Sequence, residues 1–393
     1  MNKSRKTFAS TLICVMLVVS MLFGESISKA ATILDTENNP KTELTTTTIT
    51  TGTDEDFANF TTNVIQTTME NEVVPLKIDQ KGCLNYIVAT NLTSGADVGV
   101  FSDEGCTTKV GNQLYISTYS DVISEGVYAE QGEAYFTKAG TYYVKFSDPG
   151  TYTFSSQLYN GANRTIKNNT YTTSYGYKYD TYNYDSKNIY YKYKASKTGY
   201  ITITAEFQET YGNAYITLCN SKKKAITDDA YLSTSSTSQK VVFAVKKGTT
   251  YNIKVSTTSG LYRVKSKITG VSESSGAKKA KAKALTFKKE RKGIVLAEDK
   301  TSKYDYYKFT LTKASKIHMD IKGNVSSGKI CVELTGTNIA GALTKYISTT
   351  DYSYSSSVET YTSSKLPKGT YYVKVYKDSK KTSGTYSIKF TKK

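Results

Sequence analysis

Asp305-Tyr306-Tyr307-Lys308-Phe309-Thr310-Leu311-Thr312-Lys313 alternates large apolar and polar side chains and ends on residues that favour a turn. A period of two gives an extended segment one buried and one wet face, because successive side chains of a strand leave on opposite sides. Tyr307, Phe309 and Leu311 therefore belong to a core, and Tyr306, Lys308 and Thr310 to a surface. The pattern recurs 116 residues upstream as Tyr190-Tyr191-Lys192-Tyr193-Lys194-Ala195-Ser196-Lys197. The match runs without a gap into the next segment, where Ile201, Ile203 and Ala205 line up with Ile317, Met319 and Ile321. With turns at 196–199 and 313–315, each pair of segments is predicted to form a hairpin.

A second block closes each copy and occurs three times: Gly140-Thr141-Tyr142-Tyr143-Val144-Lys145-Phe146, Gly248-Thr249-Thr250-Tyr251-Asn252-Ile253-Lys254-Val255 and Gly369-Thr370-Tyr371-Tyr372-Val373-Lys374-Val375. A shorter echo follows each, as Gly150-Thr151-Tyr152-Thr153-Phe154, Gly260-Leu261-Tyr262-Arg263-Val264 and Gly384-Thr385-Tyr386-Ser387-Ile388. Glycine opens a turn, and the alternating Tyr, Val, Ile and Phe build a strand with one buried face. Block and echo together read as a terminal hairpin, with their core tyrosines 10, 11 and 15 positions apart.

Helical periodicity is hard to find beyond residue 30, and short runs rich in Val, Ile, Thr and Tyr are punctuated by Gly, Ser, Asn and Asp. That pattern, repeated at this period, predicts an all-β chain of three tandem β-sandwich modules. They are placed at 58–160, 161–271 and 285–393. The first is the most divergent, and Val74, Leu76 and Ile78 followed by Leu84, Tyr86 and Val88 are its opening strands. Threonines from Thr45 to Thr51 mark residues 31–57 as a flexible arm. Lys278, Lys279, Lys281 and Lys283 make 272–284 a basic linker.

Lys3, Arg5 and Lys6 precede an apolar run from Leu12 to Phe23, with small residues Ser28 and Ala30 before an expected cleavage at Ala31. Residues 1–30 thus read as a signal peptide, and the mature chain as secreted, extracellular or associated with a cell surface. No later apolar stretch approaches the roughly 20 residues a membrane span needs. Leu366-Pro367-Lys368-Gly369-Thr370 is read as a turn and not as a wall-anchoring signal, because a strand pattern follows at once. The net charge of +18 hides an asymmetry: residues 31–160 carry 6 basic and 17 acidic side chains, net −11, whereas 161–393 carry 42 and 16, net +26. A basic region of that size is drawn to polyanions. Cys83 and Cys106 fall in one module and can pair as a disulfide in an oxidising compartment. Cys219 and Cys331 sit alone inside strand-like runs and are expected to be buried thiols.

Asp305-Tyr306-Tyr307-Lys308-Phe309, the alternating strand after it, and Leu366-Pro367-Lys368-Gly369-Thr370-Tyr371-Tyr372-Val373-Lys374-Val375 together resemble the bacterial pre-peptidase C-terminal domain (PPC-like). The resemblance is best across 300–393, weaker across 185–270 and weakest across 70–160. It implies jelly-roll-like sandwiches of the kind appended to secreted peptidases and other exported proteins, collagen-binding modules among them. Members usually follow a catalytic domain, and none is legible here. Calcium-binding members use an acidic segment near the module start, which makes Glu298, Asp299 and Asp305 the calcium candidates.

One histidine in 393 residues, His318, leaves serine and cysteine triads without their usual base. Between Ile317 and Met319 on an alternating strand, it is expected to be an exposed bystander on the side of Asp320. Asp228-Asp229 and Asp54-Glu55-Asp56 read as solvated loop charges, so no catalytic residue and no metal site is predicted, and no cofactor other than the calcium just named. The chain has 35 tyrosines and no tryptophan. Tyr143, Tyr190, Tyr306 and Tyr372 take the outer parity, while Tyr177, Tyr179, Tyr182 and Tyr184, and Tyr346, Tyr352 and Tyr354, crowd into polar stretches. Exposed phenol rings offer flat apolar area and a hydroxyl at little entropic cost, which suits sugars and protein chains. Tyr177, Tyr179, Tyr182, Tyr184, Tyr352, Tyr354 and Tyr372 are the ligand-binding candidates. The expected function is non-catalytic binding or adhesion to cell-wall glycan, another extracellular polysaccharide or polyanion, or a matrix protein, with no specific nucleic acid as partner. Two other readings stay open: an accessory protein packing on another secreted protein, and an unrecognised hydrolase.

Overall fold

A computed structural model describes residues 43–49, 60–124, 126–160, 164–175, 177–180, 183–207, 213–233, 238–257, 261–272, 275–336, 339, 342–348, 355–362 and 364–392. Residues 1–30, read above as a signal peptide, lie outside them. Among the described residues, every regular element is a strand except the short 3₁₀ helix Lys279–Lys281, so the protein is all-β. They form two compact units, one of residues up to 162 together with 171–187, the other of 163–170 together with 188–393.

In the second unit, Asp305–Leu311 is a strand of a five-stranded sheet ordered Lys283–Ala284, Asp305–Leu311, Gly369–Lys377, Lys329–Gly336, Leu343–Ser348. A four-stranded sheet completes the sandwich, in the order Glu290–Val295, Ser383–Lys392, Ile317–Ser327, Ser355–Tyr361. Tyr307, Phe309, Tyr371 and Val373 from one sheet meet Ile317, Met319, Tyr386 and Ile388 from the other in a single core. The upstream match holds in three dimensions. Asn183–Lys194, Thr250–Thr257, Asn213–Cys219 and Ala230–Ser233 are neighbours in the same order, and Leu261–Gly270, Gly199–Phe207 and Gln239–Val245 supply the other half of the core.

The first unit repeats the plan despite its divergent sequence. Glu72–Ile78, Gly140–Phe146, Ala96–Phe101 and Leu114–Ile116 form one sheet. Thr61–Thr67, Gly150–Asn160, Gly82–Thr90 and Val127–Phe136 form the body of the other. Val74, Leu76, Ile78, Leu84, Tyr86 and Val88 all lie in the core between them.

The predicted hairpins are a correction. Gly369–Lys377 and Ser383–Lys392 lie in different sheets, as do Asp305–Leu311 and Ile317–Ser327, and the same holds for their counterparts in the other two sandwiches. A chain that arches from one sheet to the other buries one parity of each strand, just as a hairpin does, so alternation alone does not separate the two. The consequence is that core tyrosines of block and echo come from opposite sides of the sandwich. In the third, the Tyr307 and Tyr386 hydroxyls lie 2.9 Å apart and Tyr386 donates to the buried Asp305 carboxylate at 2.6 Å. In the second, the Tyr191 hydroxyl donates to that of Tyr262 at 3.2 Å. Each such ring takes roughly 150–250 Å² out of water, about 4–6 kcal/mol as an upper bound. Tyr386→Phe is expected to destabilise the second unit by about 1.5–3 kcal/mol, because it strips a donor from a buried carboxylate. Tyr262→Phe, at a neutral pair, should cost about 0.5–1.5 kcal/mol. Urea unfolding followed by circular dichroism checks the order.

Glycines make room for these rings. Gly132, Gly293 and Gly336 stand opposite Tyr86, Tyr386 and Tyr371 on the neighbouring strands. A Cβ at those positions would meet the ring at 2.5, 2.2 and 2.3 Å respectively.

Two segments read as connectors are partly strand. Leu44 is buried against Leu76, and Thr47–Ile49 runs parallel to Gln157, Leu158 and Tyr159. Gly276 exchanges backbone hydrogen bonds with Tyr306 at 3.0 and 2.8 Å, and Lys283–Ala284 runs parallel to Tyr307 and Lys308. Residues 275–284 are thus an edge of the third sandwich, with Ala282 inside and their lysines exposed. In the second of these segments composition points to solvent because the lysines do face it.

The two sandwiches of the second unit meet along the edge strand Gln239–Val245. Unpaired edge amides invite foreign strands, and here serine hydroxyls of the third sandwich take them. The Val242 and Ala244 amides donate to Ser326 Oγ and Ser383 Oγ, both at 3.0 Å, and nearby the Asp228 amide donates to Ser327 Oγ at 2.9 Å. Ala244 packs with Ile294 and Leu296, Lys381 pairs with Asp228 at 2.8 Å, and the Tyr251 hydroxyl donates to Glu298. Lys377 holds the loop that carries Leu296 and Glu298. Its ammonium, on a side chain only 3% exposed, donates to the carbonyls of Leu296 (3.0 Å), Ala297 (2.9 Å) and Lys380 (3.2 Å). Burial pushes its pKa below the ordinary lysine value, against the pull of Asp299 and Glu298.

Candidate ligand-binding face

The side of the third sandwich's five-stranded sheet that faces away from the core carries the wet parity of the quoted stretch. Register fixes its rows. Tyr306 lies opposite Lys374, Lys374 opposite Glu333, and Glu333 opposite Thr344. Lys308 lies opposite Tyr372, and Tyr372 opposite Thr335. Tyr376 lies opposite Cys331, and Cys331 opposite Tyr346. Neighbours about 4.8 Å apart within a row, and rows about 6.7 Å apart along the strands, therefore place tyrosines and lysines in alternation across the sheet.

Lys374 sits at the centre. Its ammonium is 2.8 Å from Glu333, 4.6 Å from the centre of the Tyr376 ring and 5.2 Å from that of Tyr304. Desolvation acts to lower its pKa, but the Glu333 pair outweighs this and holds it above the ordinary value. Tyr304 meets Tyr306 and Tyr376 edge-on at 6.0 Å each. Lys279 places its ammonium 4.7 Å from the centre of the Tyr372 ring. Tyr346, 54% exposed, stands at the rim, and burial beneath the rings pushes the Cys331 thiol up. Five phenols around an ion pair can stack a flat ring, hydrogen-bond a polyol, and present Lys308 and Lys279 to an anion.

The second sandwich carries a sparser version. Lys223 lies 4.8 Å from the Tyr190 ring centre, Tyr215 and Tyr231 rings are 5.6 Å apart, and Lys254 pairs with Asp229 at 3.3 Å. Burial would raise the Asp229 pKa, yet the Thr217 hydroxyl and Lys254 hold it below the usual carboxylate range.

Of the seven predicted tyrosines, Tyr372 is on this face. Tyr182, Tyr352 and Tyr354 lie outside the described residues. Tyr177, Tyr179 and Tyr184 are described in backbone only, Tyr177–Asp180 pairing antiparallel with residues 183–186 so that Tyr179 opposes Tyr184. Tyr304 and Tyr376 went unread, although Tyr376 simply continues the parity of Tyr372 and Lys374. Cys83, Cys106, Cys219 and Cys331 are all thiols. Cys83 is buried in one sheet of the first sandwich and Cys106 sits in a turn next to the other, so the pairing that the sequence allows is not formed. Cys219 and Cys331 are buried, as expected. His318 is half-buried and not exposed, with Nδ1 3.3 Å from the Thr391 hydroxyl and Nε2 3.7 Å from Asp320.

Each calcium candidate is engaged elsewhere: Asp305 with Ser275 and Tyr386, Asp299 with Lys303 at 2.9 Å, Glu298 with Tyr251. Among the described residues, no group of three or more His, Cys, Asp or Glu side chains is gathered as a metal site, and no helix is long and apolar enough to cross a membrane.

No family model matches the chain, and no curated protein does. Among solved structures, it is similar to the N-terminal CBM22-1–CBM22-2 tandem domain of Paenibacillus barcinonensis Xyn10C, at 10% identity and a TM-score of 0.19 over 51% of this chain and 80% of that one. It is also similar to a triple jelly-roll protein of an archaeal virus, at 12% identity and a TM-score of 0.21 over 84% and 87%. A third is the M60 catalytic domain with CBM51-1 and CBM51-2 from Clostridium perfringens ZmpB, at 5% identity and a TM-score of 0.18, covering 55% of this chain and 35% of that one. At these TM-scores the likenesses carry no argument, and the all-β class rests on the chain's own strands and registers.

Proposed function

We propose that this is a non-catalytic extracellular binding protein that holds a polysaccharide or cell-wall polyanion on the outer, tyrosine- and lysine-bearing faces of its sandwiches. The observation that carries the reading is the third sandwich's outer face, where Tyr304, Tyr306, Tyr346, Tyr372 and Tyr376 surround the Lys374–Glu333 pair. Stacking supplies specificity for rings, and the +26 of residues 161–393 supplies attraction to acidic groups. The residues 300–393 that resemble pre-peptidase C-terminal sandwiches include this face.

Co-sedimentation of the full chain with insoluble cell-wall polymer tests it. Retention is expected to fall steeply between about 0.05 and 0.5 M salt, as the screening length shrinks. Tyr372→Ala with Tyr376→Ala should weaken it about ten-fold or more, since aromatic anchors dominate binding energy. Retention indifferent to both salt and the double substitution would refute the reading.

A further inference from the structure

The first sandwich carries a different surface. Tyr119 is 98% exposed, Tyr115 60% and Val122 58%, three large apolar side chains within eight positions. Tyr115 is on Leu114–Ile116, an outermost strand of one sheet, and Val122 on Asp121–Ser124, an outermost strand of the other. Between them, the Tyr119 backbone is pinned: its amide donates to Ser117 Oγ at 3.2 Å, the Ser117 amide to Ser120 Oγ at 3.0 Å, and the Ser120 amide to the Ser117 carbonyl at 2.9 Å. The Tyr115 ring rests over Gly95, where a Cβ would meet its hydroxyl at 2.5 Å. These anchors are held on a built turn, so ordering them costs little on contact.

The surroundings are acidic. Asp97 lies directly opposite Tyr115, Asp121 starts the strand of Val122, and residues 31–160 carry net −11. Exposed tyrosine rings with an acidic rim fit a basic protein surface, because lysine is attracted both to the ring face and to the carboxylates. The chain uses that chemistry within itself, placing Lys223, Lys279 and Lys374 over Tyr190, Tyr372 and Tyr376, and Lys392 over Phe287. Its own residues 161–393, at +26, supply such a surface, with Tyr215, Leu343 and Tyr346 exposed on it.

We propose that Tyr115, Tyr119 and Val122 of one copy dock on the basic 161–393 region of a second copy. The two surfaces are different patches of one chain, so every copy carries both halves of the contact and association can proceed without a second protein.

Sedimentation velocity of the full chain across a range of concentrations, with no polymer present, tests this. At low salt the weight-average mass is expected to climb with concentration, and at about 0.5 M salt to return to that of the monomer. Tyr115→Ser, Tyr119→Ser and Val122→Thr together should weaken association about ten-fold or more, with circular dichroism unchanged because all three side chains are exposed. Cross-linking of carboxylates to lysines in a mixture of isotopically light and heavy protein should join residues 95–125 of one copy to 161–393 of the other. A chain monomeric at every concentration in low salt, an unweakened triple variant, or cross-links confined within single copies would each overturn the proposal.

Discussion

Carried above about pH 10, the protein is expected to unfold cooperatively, with its buried tyrosines ionising only as it does so. Tyr86 and Tyr152 in the first unit and Tyr251 and Tyr386 in the second are at most 2% exposed, and desolvation pushes each phenol far above its ordinary value near 10. The Asp305 carboxylate adds to the shift at Tyr386, and Glu298 to that at Tyr251. An acid kept neutral by the fold ionises more readily in the unfolded chain. Its contribution to stability is therefore complete below the unfolded pKa, and it is lost as pH climbs from there toward the folded value. Each such tyrosine removes on the order of 1 kcal/mol per pH unit, so two in each unit remove on the order of 6 kcal/mol over about three pH units, against a stability whose lower bound is about 5 kcal/mol. Absorbance at the phenolate band, recorded beside far-ultraviolet dichroism, checks this. A tyrosine population that ionises late and together with loss of strand signal is expected. All tyrosines titrating near pH 10 in a folded protein would be the contrary result.

Lys377→Met should cost the second unit about 3–5 kcal/mol, since three carbonyls left without their donor cost about 1–3 kcal/mol each, less what is regained by no longer burying the ammonium. Methionine fills the space, so what is lost is the donor to three carbonyls. At about 2–4 °C per kcal/mol for a unit of this size, the thermal midpoint should fall by about 6–20 °C. The loss should be sharper than a local one, because the same loop carries Leu296 and Glu298 into the seam between the second and third sandwiches. Calorimetry is expected to show the single transition of that unit broaden or split. An unchanged midpoint would mean that the ammonium does not hold the seam.

Much of this fold was legible in residue order. The 116-residue repeat and the alternation through Tyr307, Phe309 and Leu311 identify strands, core parity and three similar cores, and Leu84, Tyr86 and Val88 lie in the first core as their alternation predicts. Pairing was not legible, because an arch between sheets and a hairpin within one bury the same parity. Nor could composition show that Thr47–Ile49 and Lys283–Ala284 pair as edges, since that pairing is made by the backbone. On the candidate face, Tyr372 and its parity were readable. Its neighbours were not, since Glu333, Tyr304 and Lys279 come to it from separate parts of the chain. Lys377 reads like any surface lysine at the end of a strand, and only the convergence of carbonyls from 296, 297 and 380 reveals its role.

Chemical footprinting of tyrosines, with and without bound cell-wall polymer, puts the ligand-binding face to its most direct test. Protection that appears on polymer binding at Tyr346, Tyr372 and Tyr376 is the predicted pattern. Tight retention of polymer with those three rings as reactive as in the free protein would contradict it.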